Sequence, residues 1–286
     1  MKIHYTKTVL YNGVTIPNIG YGTYKTPCNE EGLHAIQNVI NASYRHLDTA
    51  QGYKNESLIA QAIQSSHLER KDFFITSKLW NDNQGYEKTI RSFFKTLNDL
   101  QTDYLDLFLI HWPIPIGAEK HWQDLNISTW KAFEDLYSAG RIRSIGVSNF
   151  LEHHLKNILN HCRIKPMVNQ LEFHPKYQQR DIVSFCQKHD ILVESWGPLM
   201  RGKAFENPIL KSLSEKSGHT IAQILLRYCI QKNILPIQKS MKLDRMISNA
   251  DIFNFCLSKE EMDILDSMDT ANCYTFHPDR NFEWFK

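Results

Sequence analysis

No run of about eighteen apolar residues occurs anywhere in the 286-residue chain, which excludes a membrane-spanning helix. The amino-terminal stretch "MKIHYTKTVLYNG" also lacks the unbroken apolar core of a secretory signal, so a cytoplasmic protein is expected. Charge of one sign is scarce too: 33 Lys and Arg stand against 31 Asp and Glu, for a formal net charge of +2. With no basic block to follow a phosphate backbone, nucleic acid is not an expected partner. The six cysteines (Cys28, Cys162, Cys186, Cys229, Cys256 and Cys273) show no CxxC spacing and read as reduced thiols. There are 13 histidines but no HExxH, and His153 and His154 are neighbours instead of lying one helical turn apart, so no metal is expected. Linkers rich in Pro, Gly or Ser are missing as well, which favours one domain over residues 1–286.

What the chain does have is alternation. Asn12-Gly13 between two β-prone runs predicts a two-residue hairpin. Eight apolar runs of strand length then follow: "NIGYG", "YRHLDT", "FFITSKLW", "LDLFLIHW", "IRSIGVSN", "PMVNQLEF", "ILVESWG" and "NILPIQKS". Amphipathic segments separate them. Asn55 is expected to cap the helix carrying Leu58, Ile59, Ala62 and Ile63, and Ser128 the one carrying Trp130, Phe133 and Leu136, which stops at Gly140. Ser258 with Glu261 reads as a capping box. Strands that are apolar throughout are buried on both faces, and helices between them make the crossovers parallel. Eight such units predict an α/β protein of the (β/α)8 TIM barrel type. A doubly wound sheet is the alternative; it favours GxGxxG after the first strand, where "GYGTYK" puts Lys25 in place of the third glycine.

In a barrel the chemistry collects at the carboxyl ends of the strands. Asp48 closes the second run, Lys78 the third, His111 the fourth, Ser148 and Asn149 the fifth, Gln170 the sixth, Trp196 the seventh, and Lys239 with Ser240 the eighth. Taken singly each has a plain structural reading: a loop cap for Asp48, a snorkelling Lys78, a satisfied core histidine at His111, a half-buried aromatic at Tyr53. Converging on one cavity, they become a catalytic group. Asp48 would keep a buried Lys78 charged, Lys78 would make the Tyr53 phenol more acidic, and His111, neutral, would orient a substrate oxygen. That set suits hydride addition to a carbonyl, with Tyr53 as general acid and a nicotinamide as the hydride source. Trp196 could stack on the ring while Ser148, Asn149 and Gln170 bond its carboxamide. Lys239, Ser240 and Arg245 read as a holder for the 2′-phosphate of NADPH.

The motifs "HLDTAQGYKNE", "ITSKLWNDNQGYEKT", "YLDLFLIHWP", "AGRIRSIGVSNF", "VNQLEFHP", "ESWGPL" and "IQKS…R" together resemble the aldo-keto reductase superfamily over nearly the whole chain. The chain resembles in particular the bacterial 2,5-diketo-D-gluconate and methylglyoxal reductase-like members. The resemblance implies a barrel with an amino-terminal hairpin across its lower mouth, NADPH as cofactor, and the tetrad Asp48, Tyr53, Lys78 and His111. It also implies cofactor contacts from Thr23, Asp48, Ser148, Asn149, Gln170, Trp196, Gly197, Leu199, Lys239, Ser240, Arg245 and Asn249. Tyr24, Trp80, His111 and Trp112 would line the substrate mouth, with the segments after "HWPIPIGAEKHW" and "GPLMRGK" and the tail "CYTFHPDRNFEWF". The sequence departs from the family pattern at Trp196, where tyrosine is common, at Gln238, where proline usually stands, and at Ser248, where an acidic or amide side chain often meets adenine. The function expected is NADPH-dependent reduction of a small aldehyde or ketone. Two other readings stay open: a non-catalytic NADPH-binding or sensing relative, and a lyase using Lys78 or Lys239 as a Schiff-base amine.

Overall fold

The structure, a computed structural model, describes residues 6–274 and 277–279. Strands β1 (Lys7–Val9) and β2 (Thr15–Pro17) form an antiparallel hairpin. Eight further strands follow: β3 (Gly20–Gly22), β4 (His46–Asp48), β5 (Phe74–Leu79), β6 (Leu107–Ile110), β7 (Ile145–Ser148), β8 (Val168–Glu172), β9 (Leu192–Trp196) and β10 (Ile234–Gln238). They pair in parallel in chain order, and β10 closes the barrel between β9 and β3. Each of the eight apolar runs supplies one strand.

Helices α1 (Glu30–Asn41), α2 (Glu56–Gln64), α3 (Tyr86–Asp99), α4 (Trp122–Ser138), α5 (Glu152–Leu159) and α6 (Arg180–Lys188) make successive crossovers. Two helices, α7 (Pro208–Ser217) and α8 (Ile221–Gln231), fill the crossover between β9 and β10, and α9 (Leu243–Ala250) and α10 (Lys259–Asp266) follow the last strand. Among the described residues no helix is long and apolar enough to cross a membrane.

The hairpin turn differs from the expected two-residue form. Gly13 has φ +85° while Asn12 is not left-handed, Gly13 N donates to Leu10 O, and Leu10 N donates to Val14 O, so the loop spans three residues. A two-residue type I′ turn would need both central residues at positive φ. Tyr11 Oη donates to Lys165 O and Asn12 Nδ2 to Arg143 O, both just before barrel strands, which lays the hairpin against the amino-terminal mouth.

Two expected caps are also corrected. Asn55 does precede α2, but its side chain bonds Thr23 and Thr26 instead of the helix's own N–H groups. Ser128 lies inside α4, which begins at Trp122; buried Asn126 and Thr129 interrupt the apolar stripe and hide that first stretch. Ser128 Oγ and Thr129 Oγ1 instead accept from Tyr86 N and Gly85 N, capping α3 from the neighbouring helix where Gly85 has no side chain to do so. The Ser258–Glu261 capping box of α10 is present as expected.

Apolar side chains fill the layer between strands and helices, including Leu47, Ile75, Phe108 and Val147, each fully buried. The barrel axis is different. Every second strand residue points inward, and toward the carboxyl ends these are His46, Asp48, Thr76, Lys78, Gln170 and Glu194, all buried and tied to one another. Burial, and next the nearby Asp48, push the Glu194 carboxyl up to about 8.

Two stability outcomes follow. A Cβ on Gly146 would sit 2.5 Å from the Val168 carbonyl oxygen, which strand pairing holds in place, so Gly146→Ala should lower unfolding free energy by about 1–3 kcal/mol in urea titrations. A mutant as stable as the parent would show that β7 and β8 can part at no expense. Glu194, with a folded pKa above its unfolded value, holds a proton that the unfolded chain releases; its contribution is complete below the ordinary carboxylate pKa of about 4.3 and lost as pH rises through about 8. The urea midpoint should therefore fall between about pH 4 and about pH 8, and fall less in Glu194→Gln. Equal falls in both proteins would place the proton elsewhere.

Candidate active site

Asp48 ends β4 and Lys78 is the penultimate residue of β5, and their inward side chains meet on the barrel axis. Lys78 Nζ donates to Asp48 Oδ1 at 2.6 Å and to the Thr49 carbonyl at 2.9 Å. The two residues are 1% and 3% exposed. Burial alone would pull the lysine pKa down; Asp48, Tyr53 and Glu194 overcome it and hold the ammonium above its ordinary value.

Tyr53 arrives on the short turn Gln51–Tyr53 that follows β4. Gln51 anchors the turn: its Oε1 accepts from Trp80 N and its Nε2 donates to Ser92 O and Thr96 Oγ1. Lys78 Nζ lies 5.2 Å from the centroid of the Tyr53 ring, near enough for its charge to act on the phenol. Burial dominates that phenol and pushes it up to about 12, against the pull of Lys78 and with a further push from Asp48. The net acidification expected from sequence is thus not met, although Lys78 acts in the expected direction.

His111 follows β6 directly. Its ring meets Tyr53 edge-on at 5.7 Å and Trp80 at 5.4 Å. Burial, reinforced by Lys78, keeps its pKa well below 6.5, so it is neutral. Nδ1 is buried without a partner, and Nε2 is the nitrogen left to the cavity.

A cavity of about 620 Å³ opens above these groups, at the carboxyl ends of the strands. Asp48, Tyr53 and His111 line it, with Tyr24, Trp80 and Trp112 as aromatic walls. Ser148, Asn149, Gln170 and Trp196 form its floor on one side, and Gly197, Leu199 and Lys239 continue the wall. Asn149 holds a left-handed backbone, φ +63°, a conformation Asn tolerates better than most residues. Its Oδ1 accepts from Trp196 Nε1 at 2.9 Å, which fixes the indole plane. Lys239 donates to the backbone carbonyl of Tyr24, and burial, then Lys25, lower its pKa.

Some residues named from sequence lie off this wall. Lys78 sits behind Asp48 and Tyr53. Thr23 is fully buried, its hydroxyl donating to Asn55 Oδ1 and its N–H to Asp48 O, so it supports the β3–β4 ends instead of presenting its side chain. Ser240 makes a local turn with Lys242, and Arg245 is exposed on the first turn of α9. Asn249 is buried and donates to Gln238 Oε1, while Gln238 Nε2 donates to Tyr44 Oη. The glutamine that departs from the family pattern therefore ties β10 to α9. Of the tail, residues 275–276 and 280–286 lie outside the described residues; Tyr274 packs beside His174 and under Lys203.

Other contributors were missed from sequence. Arg201 lines the cavity without having been named, whereas Phe205, which also lines it, lies in the segment after "GPLMRGK" that was expected at the mouth. Glu194 bonds Gln170 from below; the signal was there, two residues before Trp196 and so on the same strand face. The adjacent histidines also behave unexpectedly: His153 and His154 both bring Nε2 within 3.1 Å of Asp279 Oδ1. Because Leu151 N donates to His154 Nδ1, the proton of the neutral ring is on Nε2, which disfavours that nitrogen as a metal ligand.

Residues 18–270 match the model of the aldo/keto reductase family. The chain is 44% identical over 270 residues to the glyoxal reductase of Bacillus subtilis, covering 94% of this chain and 95% of that one. It is 36% identical to the methylglyoxal reductase of Escherichia coli, over 95% and 96% of the two chains. An aldo-keto reductase of the silkworm Bombyx mori, solved in complex with NADPH, superposes with a TM-score of 0.88 at 30% identity, over 96% of this chain and 91% of that one. The closed parallel barrel, the site at its carboxyl mouth and these likenesses lead to one conclusion: the chain belongs to the aldo/keto reductase family and is an NADPH-dependent oxidoreductase.

Proposed function

We propose that the protein reduces small aldehydes or ketones to alcohols with NADPH, with Tyr53 as general acid and Asp48, Lys78 and His111 assisting. The observation that carries this reading is the buried Lys78–Asp48 pair set beside the Tyr53 ring beneath an aromatic-walled cavity. The residues present suit the cofactor. Lys239 is bonded to a carbonyl, not a carboxylate, which leaves its charge for a phosphate, and the Trp196 ring and the Gln170 carbonyl oxygen face the same cavity. When bound, NADPH supplies the hydride that adds to the carbonyl carbon.

The protein's own groups do the rest. His111 Nε2–H donates to the carbonyl oxygen and orients it toward Tyr53. As negative charge develops on that oxygen, Tyr53 Oη–H transfers its proton there, giving the alcohol. Lys78, held charged by Asp48, stabilises the phenolate left behind until solvent reprotonates it. A phenol kept protonated by burial is the correct resting form for this direction of reaction. The walls formed by Tyr24, Trp80 and Trp112 favour small, largely apolar substrates and exclude water. Glyoxal and methylglyoxal, named in the relatives, are the first compounds to try. Lys239, Ser240 and Arg245 would hold the 2′-phosphate. A cytoplasmic location fits the free cysteines and a reduced cofactor, and belongs to the same proposal.

Two measurements bear on this. In Tyr53→Phe, kcat for methylglyoxal should drop by about 10²–10⁴-fold while the Kd for NADPH changes by no more than about threefold. Unimpaired turnover by that variant would remove Tyr53 from the mechanism. Arg245→Ala should weaken NADPH by about 10–100-fold and leave NADH nearly unchanged, as loss of a charged hydrogen bond to phosphate requires. An unchanged ratio of the two affinities would put the phosphate elsewhere.

A further inference from the structure

Both N–H bonds of the Gln170 side chain are spent below the cavity floor. Nε2 donates to Asp48 Oδ2 and to Glu194 Oε2, each at 2.8 Å. The three side chains are buried: Gln170 is 2% exposed and Glu194 is wholly inaccessible. Turning the amide over would set a carbonyl oxygen against two carboxyl groups, so its orientation is determined, and what remains for a ligand is Oε1. The neighbours behave alike. Asn149 Nδ2 donates to His111 O and to Ser148 Oγ, Trp196 Nε1 donates to Asn149 Oδ1, and Ser148 Oγ donates to Gln170 O. These donors are used internally, and the acceptor they leave to the cavity is Gln170 Oε1.

We propose that Glu194 is a positioning residue that locks the Gln170 amide as a hydrogen-bond acceptor, so that the floor selects a pyridine ring bearing an NH₂ donor over one bearing a methyl ketone. The inference rests on the reading of this cavity as the nicotinamide site. Asp48 alone would not suffice, because it shares its other oxygen with Lys78 and accounts for one N–H of Gln170. Without Glu194 the second N–H is unpartnered in a buried place, and rotation toward the cavity would satisfy it. The second Glu194 oxygen has no hydrogen-bond partner, and His46 Nε2 is 3.9 Å away, so the hydrogen bonding of this side chain is directed at Gln170. Burial raises its pKa, and the neutral acid still offers Oε2 as an acceptor.

The test compares calorimetric Kd values for NADP⁺ and for its 3-acetylpyridine analogue, which replaces the NH₂ by a methyl group. Wild-type protein should bind NADP⁺ about tenfold more tightly, the loss expected for one buried acceptor left unpaired. In Glu194→Leu the ratio should shrink to within about twofold, because a rotated Gln170 can donate to the acetyl oxygen, and Glu194→Gln, which keeps an acceptor, should restore it. A Leu variant that weakens both dinucleotides equally and keeps the tenfold ratio would show a merely structural role and overturn the proposal. A wild-type ratio near one would also overturn it. Should the Leu variant not fold, Glu194→Met, closer in length, replaces it with the same expected ratio. Failure of wild-type protein to bind either dinucleotide would instead overturn the underlying reading of the cavity.

Discussion

The site depends on one buried ion pair. Lys78 and Asp48 meet at 2.6 Å on the barrel axis, where an ammonium without a partner would shed its proton. Each ion gives up several kcal/mol of hydration there, and removing one partner of such a pair typically destabilises by about 3–5 kcal/mol. The pair persists because further hydrogen bonds satisfy both ends. Thr49 O accepts from the ammonium, and Gln170 Nε2 donates to the second carboxylate oxygen. Its charge then acts on Tyr53 and His111 from behind: it opposes the rise of the phenol pKa and helps keep the imidazole neutral.

From that pair the polar interior extends in two directions. Toward the cavity it passes through Gln170, Ser148 and Asn149 to the Trp196 indole, so the plane of a half-buried aromatic is set by bonds that begin at a buried carboxylate. Away from the cavity it reaches Glu194, His46 and Thr76. Parallel strands with apolar outer faces carry this layer, because the helices cover the outside and leave the axis as the place where polar groups from successive strands can bond one another. The candidate site and the barrel interior therefore share residues, as Glu194 illustrates with its strongly raised pKa.

The chain belongs to the aldo/keto reductase family, and the structure shows how it carries its own departures from the family pattern. Gln238 connects Tyr44 to Asn249 and so joins the last barrel strand to α9, which carries Arg245. Trp196 replaces the usual tyrosine and gains an indole N–H, which Asn149 accepts. At both of these departures a hydrogen bond gives the new side chain a fixed place.

The eight strands were legible from sequence because strands buried on both faces leave unbroken apolar runs, and the residues at their carboxyl ends could be named one by one. Asp48, Lys78 and His111 were found this way, since strand order in a closed barrel maps sequence directly onto neighbouring positions. Local bonding partners were not legible. Ser128 looked like a cap for its own helix and serves the neighbouring one, Asn55 turned from its helix to the β3 loop, and Thr23 faces the interior. Nor could the sequence weigh burial against charge at Tyr53, because desolvation depends on atoms contributed by residues such as Tyr24 and His111 from the ends of other strands. Periodicity and residue type depend on the chain's own order and so determined the barrel and the candidates at its mouth; hydrogen-bond partners and pKa values depend on distances between remote segments, and only the tertiary structure decided those.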